Sequence, residues 1–263
     1  MSGAEQVSRS GKPAVVAHRG ASGEAPEHTL AAYDLALAQG ADGLECDVRL
    51  TSDHELVCIH DRTVDRTSDG TGVVSEMSLA QLRELDFGTW HGSSEKASVL
   101  TLRELLTLTL DWRRPVRLFI ETKHPVRFGS LVEQELLALL QEFGVAQPPS
   151  ADHSRAVVIS FSSAGVWRVR RHAPMLPTIL LGDTARLFGG SAATAVGATG
   201  IGPSVDTLRH YPALVDRAAA AGRVTYCWTV DDLVDVQLCA DLGVRWVATN
   251  YPAKVRDWLV TID

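Results

Sequence analysis

The 263-residue sequence predicts an α/β fold, and among α/β folds a (β/α)8 TIM barrel rather than an open sheet. Three observations carry this. Short apolar runs rich in β-branched residues alternate with longer amphipathic stretches along most of the chain. Eight such runs can be marked, and the length is that of one barrel, commonly roughly 250 residues. Imidazole and charged side chains stand at or just past the ends of several runs, where a parallel barrel builds its site. Strand count alone does not separate a barrel from an open sheet, because a weak run such as Gly200–Gly202 counts as a strand. No Pro/Gly/Ser linker, internal repeat or low-complexity segment divides the chain, so residues 1–263 are expected to form a single barrel domain.

The first run, Ala14–His18, is followed by Thr29–Gln39, where Leu30, Tyr33, Leu35 and Leu37 precede Gly40, a natural helix stop. After the second run, Gly43–Leu50, the alternation breaks. Residues 55–99 hold another strand-like run, Glu55–His60, a turn-rich stretch with Asp69-Gly70 and Gly72, a short helix at Leu79–Leu85 and a loop. That is too much chain for a simple crossover helix, and it reads as a small insertion between strands two and three on the active-site side. The third run is Arg117–Thr122, with a helical pattern at Leu131–Phe143. Ala156–Phe161, Thr178–Leu181, Gly200–Gly202, Val224–Thr229 and Trp246–Thr249 complete the strands. Tyr211–Ala221 and Leu233–Leu242 are helical, each closed by a glycine, Gly222 and Gly243. The Ala/Gly-rich Ala192–Gly202 fits close packing of a helix on the barrel.

Hydrophobic residues make up 45% and charged residues 22%, an ordinary globular balance. A net charge of −7 without a Lys/Arg block argues against a nucleic-acid partner and against docking on an anionic membrane. A small phosphate substrate stays open, because a few local cations set the field of one pocket. Cys46, Cys58, Cys227 and Cys239 form no CxxC pair and sit in apolar segments, which reads as four buried thiols. Met1–Lys12 has no apolar signal-peptide core and no run of about 18 apolar residues exists, so the expected location is cytoplasmic, without stable membrane insertion. Oligomeric state is left open, a homodimer included.

Four motifs carry chemistry. His18-Arg19 follows strand one: an imidazole moves a proton near neutral pH, and a guanidinium holds phosphate oxygens bidentately. Alone such a pair is more often structural. Strand period two puts Glu45 and Asp47 on one face of strand two, with Leu44 and Cys46 toward the outer helices. Two inward carboxylates repel unless a cation lies between them, and hard oxygen donors suit Mg²⁺ or Ca²⁺. A bridge to Arg or Lys is the competing reading. Glu121 and Lys123 share a face at the end of strand three, where Glu121 can complete a three-carboxylate metal site and Lys123 can neutralise a phosphate oxygen. His60-Asp61 ends the extra run and supplies a second imidazole, so His18 and His60 fit the two proton transfers of phosphodiester cleavage. The parity of His124 points away from Glu121 and Lys123; Phe161 and Trp90 are candidate wall residues but core by default.

In order, these residues resemble the glycerophosphodiester phosphodiesterase family. The matching text is VVAHRGASGEAPEHTLAAYDLAL, GADGLECDVRLTSDHELVCIHDRTVDRTSDGTG, LFIETK and TYCWTV. The wording is nearest to cytoplasmic, actinobacterial-type members. The resemblance implies a (β/α)8 barrel with a small insertion after strand two and hydrolysis of a small-molecule glycerophosphodiester to an alcohol and glycerol 3-phosphate. It implies His18 and His60 as the acid–base pair and Glu45, Asp47 and Glu121 as ligands of one divalent cation, Mg²⁺ or Ca²⁺. Arg19 and Lys123 would hold the phosphate, Glu27 would face the glycerol or metal region, and Trp228 would line the wall. Many members read Pro-Glu-Asn-Thr where this chain has Pro26-Glu27-His28-Thr29, and His28 either replaces the asparagine's contact near the site or sits at the first turn of helix one outside it, the second reading being preferred. A lysophospholipase D-like or phosphoinositide-type phosphodiesterase and a non-catalytic phosphate-ester-binding barrel are the alternatives.

Overall fold

The computed structural model describes residues 11–92, 95–183 and 192–262. Most of the polar Met1–Lys12 stretch therefore lies outside the described residues. Nine strands are described: β1 (Ala14–His18), β2 (Gly43–Leu50), β3 (Leu56–Cys58), β4 (Arg117–Thr122), β5 (Ala156–Ser160), β6 (Thr178–Gly182), β7 (Gly200–Pro203), β8 (Val224–Cys227) and β9 (Trp246–Thr249). Eight are parallel and close into a barrel, since β1 pairs with both β9 and β2, and β2 with β4. The open-sheet alternative is thereby settled in favour of the barrel. Only β3 is antiparallel, hydrogen-bonded to the far half of β2.

The strands are legible because barrel strands are buried on both faces and so read as continuous apolar runs. One face packs inward, where Val16, Phe119, Val157, Ile159, Ile179, Leu181, Tyr226 and Trp246 fill the interior. Phe119 stacks on Tyr226 at 5.2 Å between ring centroids and meets Trp246 edge-on at 5.1 Å. The other face packs against the helices. The weak run at β7 has a reason: a Cβ on Gly202 would lie 2.4 Å from Leu181 Cδ2, so the filled interior leaves that strand no room for a side chain.

Helix α1 (Leu30–Ala38) starts where Thr29 accepts from the amide of Ala32. Within residues 55–99, helix α2 (Leu79–Leu82) is shorter than expected, and Val57, Ile59, Val64, Val74, Leu82, Phe87 and Val99 form an apolar cluster of their own. Helices α3 (Leu102–Asp111), α4 (Leu131–Glu142), α5 (Ser163–His172) and α6 (Ala192–Ala195) follow. The helix expected at Tyr211–Ala221 is α8 (Ala213–Ala220), and a break separates it from a short preceding helix, α7 (Val205–His210). Pro212 explains the break: it donates no amide hydrogen and disfavours helical geometry at Tyr211. Helices α9 (Leu233–Leu242) and α10 (Pro252–Thr261) close the chain. Two expected strands end early, at Ser160 and Cys227, leaving Phe161 and Trp228 to turn out over the mouth. No described helix is long and apolar enough to cross a membrane.

Candidate active site

The parity expected for β2 holds. Leu44 and Cys46 belong to the outer core with Tyr33 and Leu105, while Glu45 and Asp47 take the inner face. Register brings the third carboxylate beside them, since Asp47 is the direct partner of Glu121 on β4. One oxygen from each of Glu45, Asp47 and Glu121 lies within 4.8 Å of the others, with all three residues buried. Such crowding is costly without positive charge. Burial, then Asp47, pushes the Glu45 carboxyl well above its usual range, and the same two causes raise Glu121 to about 7. Asp47 goes the other way: burial disfavours its charge, but His28, Lys123 and Arg19 hold it well below the usual range. It is the carboxylate that all the nearby cations serve.

Two fixed cations flank the triad. Lys123 Nζ lies 2.7 Å from Glu121 Oε1 and 3.2 Å from Asp47 Oδ1. Arg19 Nε lies 3.1 Å from Asp47 Oδ2, an ion-pair distance without hydrogen-bond alignment, and its backbone amide donates to Glu45 Oε2 at 3.0 Å. Arg19 adopts φ +60°, a left-handed turn that brings both its amide and its side chain onto the carboxylates. The donor set is all oxygen, which fits a hard divalent cation. These residues could hold one.

Each imidazole is held by its Nδ1. That of His18 lies 2.8 Å from Asn250 Oδ1, and burial, then Arg19, lowers the ring to about 4. That of His60 lies 2.7 Å from Asp61 Oδ1, and burial lowers this ring too. Arg66 donates from Nε to Asp61 Oδ2 at 2.5 Å and, through both Nη atoms, to Glu27 at 2.8 Å. Glu27 also accepts from Arg19 Nη1 at 3.1 Å, so it ties the two loops that carry the imidazoles. Burial works against its charge, but the Arg66 bonds and Arg19 bring it down to about 2. Trp228 donates from Nε1 to the carbonyl of Gly202 at 2.8 Å and meets Phe161 edge-on at 5.3 Å. Phe161, core by default in the sequence, is 44% exposed, and its ring centroid lies 6.0 Å from Lys123 Nζ.

One expectation is corrected. His28 is not a first-turn residue of α1 outside the site. It precedes the Thr29 cap at φ +60°, is buried, and bridges Tyr33 (Nδ1 to Oη, 2.8 Å) and Asp47 (Nε2 to Oδ2, 3.0 Å). The left-handed turn redirects its side chain inward, a geometry that helical periodicity does not encode. His124 does point away, to Glu133 Oε1 at 2.7 Å. Sequence reasoning passed over Arg66, Asp231 and Asn250. Asn250 stands directly past β9, the signal that flagged His18; Arg66 and Asp231 sit deeper in loops and carry none.

A closed barrel with two imidazoles and fixed cations at its mouth is built as a hydrolase of an anionic ester. The model of the glycerophosphoryl diester phosphodiesterase family matches residues 18–254, and the chain belongs to that family. It is accordingly a phosphoric diester hydrolase, which sets aside the non-catalytic barrel. A Mycobacterium tuberculosis protein named probable glycerophosphodiester phosphodiesterase 1 is 62% identical over 255 residues, 95% of this chain and 93% of that one. The actinobacterial resemblance read from the sequence agrees with this. The crystal structure of a glycerophosphodiester phosphodiesterase from Agrobacterium tumefaciens is 28% identical, with a TM-score of 0.77 over 93% of this chain and 99% of that one. An Oleispira antarctica phosphodiesterase, solved with the product sn-glycerol-3-phosphate, shares the fold at TM-score 0.82 and 24% identity over 94% of this chain and 97% of that one.

Proposed function

We propose that this enzyme hydrolyses glycerophosphodiesters such as glycerophosphocholine and glycerophosphoethanolamine to the alcohol and glycerol 3-phosphate, with one divalent cation, Mg²⁺ or Ca²⁺, held by Glu45, Asp47 and Glu121. The convergence of those three carboxylates within 4.8 Å is the observation that carries the reading. When bound, the cation would supply Lewis-acid stabilisation of charge on the phosphate oxygens.

The chain's own groups divide the remaining work. Arg19 and Lys123 hold the phosphate. His18 and His60 share the proton transfers, one taking a proton from the nucleophile, water or a neighbouring substrate hydroxyl, the other giving one to the departing alcohol oxygen. In each ring Nδ1 is committed to an oxygen, so Nε2 is the working nitrogen. Glu27 orders Arg19 and faces the glycerol, and Trp228 with Phe161 forms the apolar wall. The four buried, unpaired thiols support a cytoplasmic setting in lipid and glycerol metabolism. Turnover of both glycerophosphodiesters with each ion tests the scheme. Full activity in His18→Ala or His60→Ala, or in excess chelator, would refute it. The exposed Phe161 beside Trp228 favours one second reading, an acyl chain lying on that wall as in lysophospholipase D-like chemistry. Turnover of lysophosphatidylcholine exceeding that of glycerophosphocholine would select it.

A further inference from the structure

Two loops that no catalytic motif includes meet at the ring of His18. Asp231 follows β8 and Asn250 follows β9. Asp231 is fully engaged as an acceptor: Oδ1 takes the Thr249 hydroxyl and the Asn250 backbone amide, both at 2.8 Å, and Oδ2 takes Asn250 Nδ2 at 2.7 Å. A carboxylate only accepts, so it fixes which end of the Asn250 amide faces it. The opposite end, Oδ1, must then face His18 Nδ1 at 2.8 Å, with Ser22 Oγ also at 2.8 Å from Oδ1 and 2.7 Å from the His18 carbonyl. An amide oxygen only accepts, so His18 carries its hydrogen on Nδ1 and leaves the Nε2 lone pair for the reaction.

We propose that Asp231 and Asn250 are positioning residues that set the tautomer of His18, Asp231 acting through the Asn250 amide, at a distance of two hydrogen bonds from the ring. This rests on His18 serving in proton transfer as proposed above. The lowered affinity of the buried ring for protons is in keeping, because a neutral imidazole has two tautomers and one must be selected.

The geometry makes a sharp test with near-isosteric changes. In Asp231→Asn, Oδ1 of the new amide still serves Thr249 and the Asn250 backbone, but its NH2 faces the Asn250 NH2. Asn250 must rotate end for end and present a donor to His18 Nδ1, which selects the Nε2–H form. A carboxylate-to-amide change beside a triad histidine removes about 10⁴ in kcat by this route. With one amide interposed, a loss of at least about 100-fold in kcat is expected, with KM within about threefold. Asn250→Asp alone sets two carboxylates against each other and also fails. The exchange Asp231→Asn with Asn250→Asp restores every donor to an acceptor: the new amide donates to the new carboxylate, which accepts from His18 Nδ1. It should recover kcat to within about tenfold of the parent.

The tautomer is read independently of activity, by long-range proton–nitrogen NMR of ¹⁵N-histidine-labelled parent and variants, with His18→Gln assigning the signal. The expected result is Nδ1–H in the parent and the exchanged pair and Nε2–H in Asp231→Asn. An Nε2–H parent, or an Asp231→Asn protein with parental kcat and tautomer, overturns the proposal, as does an exchanged pair no more active than the single variants. Full activity in His18→Ala would overturn the catalytic reading, while the NMR result would still decide whether the two loops set the tautomer.

Discussion

Replacing Lys123 by Met keeps the stem and removes the charge, which makes it the cleanest probe of how the triad is balanced. Lys123 Nζ stands 2.7 Å from Glu121 and 3.2 Å from Asp47, in a side chain only 12% exposed. At an effective dielectric of about 20, unit charges at those distances attract by roughly 6 and 5 kcal/mol before desolvation is subtracted. Breaking one partner out of a buried pair leaves a net loss of about 3–5 kcal/mol. For a chain of this size that lowers Tm by roughly 6–20 °C. The sign then reverses with a cation. Without the ammonium, Glu45, Asp47 and Glu121 have more uncompensated charge, so Lys123→Met should bind Mg²⁺ or Ca²⁺ more tightly than the parent and regain at least half of the lost Tm when saturated. Thermal melting in chelator and in saturating cation, with calorimetry of cation binding, measures both. An equal Tm deficit in chelator and in saturating cation, or weaker cation binding by the variant, would refute the view that Lys123 and the cation offset the same carboxylates.

His28→Leu should destabilise by about 2–4 kcal/mol, because it removes the buried hydrogen bonds that His28 makes to Asp47 and Tyr33 and puts an apolar side chain at φ +60°; His28→Asn, tolerant of that conformation, should lose markedly less in the same denaturation series. Asp61→Asn leaves one acceptor oxygen for two donors, His60 Nδ1 and Arg66 Nε, so His60 loses its fixed orientation, and kcat should fall by about 10- to 100-fold of the ~10²–10⁴ a proton-transfer group supplies, with KM little changed. Glu27, at about 2 against an ordinary 4.5, has a depressed folded value, so its contribution of about 3 kcal/mol is present above pH 4.5 and fades as pH falls toward 2. His18, at about 4 against 6.5, is also depressed and loses its contribution as pH falls from 6.5 to 4. The pH dependence of denaturant unfolding should therefore weaken below 4.5 in Glu27→Gln and between 6.5 and 4 in His18→Gln, relative to the parent.

What the sequence discloses follows from which interactions are periodic. β1, β2, β4 and β9 match their expected runs end for end, because both faces of a barrel strand are buried and apolar residues fill most of its positions. The inward pairs Glu45/Asp47 and Glu121/Lys123 follow from period two alone. Helix α5 was not marked: its last turn, Arg170-Arg171-His172, is all polar, and few apolar residues face the barrel. His28 and the Asp231–Asn250 pair were hidden for a different reason. Their roles depend on a left-handed turn and on loops brought together from 232 residues away along the chain, and neither leaves a period to read.

The site nonetheless has a single organising strand. On one edge β2 pairs with β1 through Gly43–Glu45, which sets His18 beside Glu45. Farther along the same edge, where β1 has ended, Val48–Leu50 pair with β3, and the amide of Ile59 donates to the Asp47 carbonyl at 3.0 Å, delivering His60 at the next position. On the other edge β4 sets Glu121 beside Asp47. The antiparallel β3 is thus the means by which a second imidazole reaches a parallel barrel's mouth: a crossover helix would have carried the chain away to the outside. Because side chains alternate, a one-residue slip of β2 would turn both Glu45 and Asp47 outward and Leu44 and Cys46 inward, which the filled outer core forbids. The packing that fixes the register of β2 therefore also brings together both imidazoles and all three carboxylates, and the segment that interrupts the strand–helix alternation is part of the candidate site by construction.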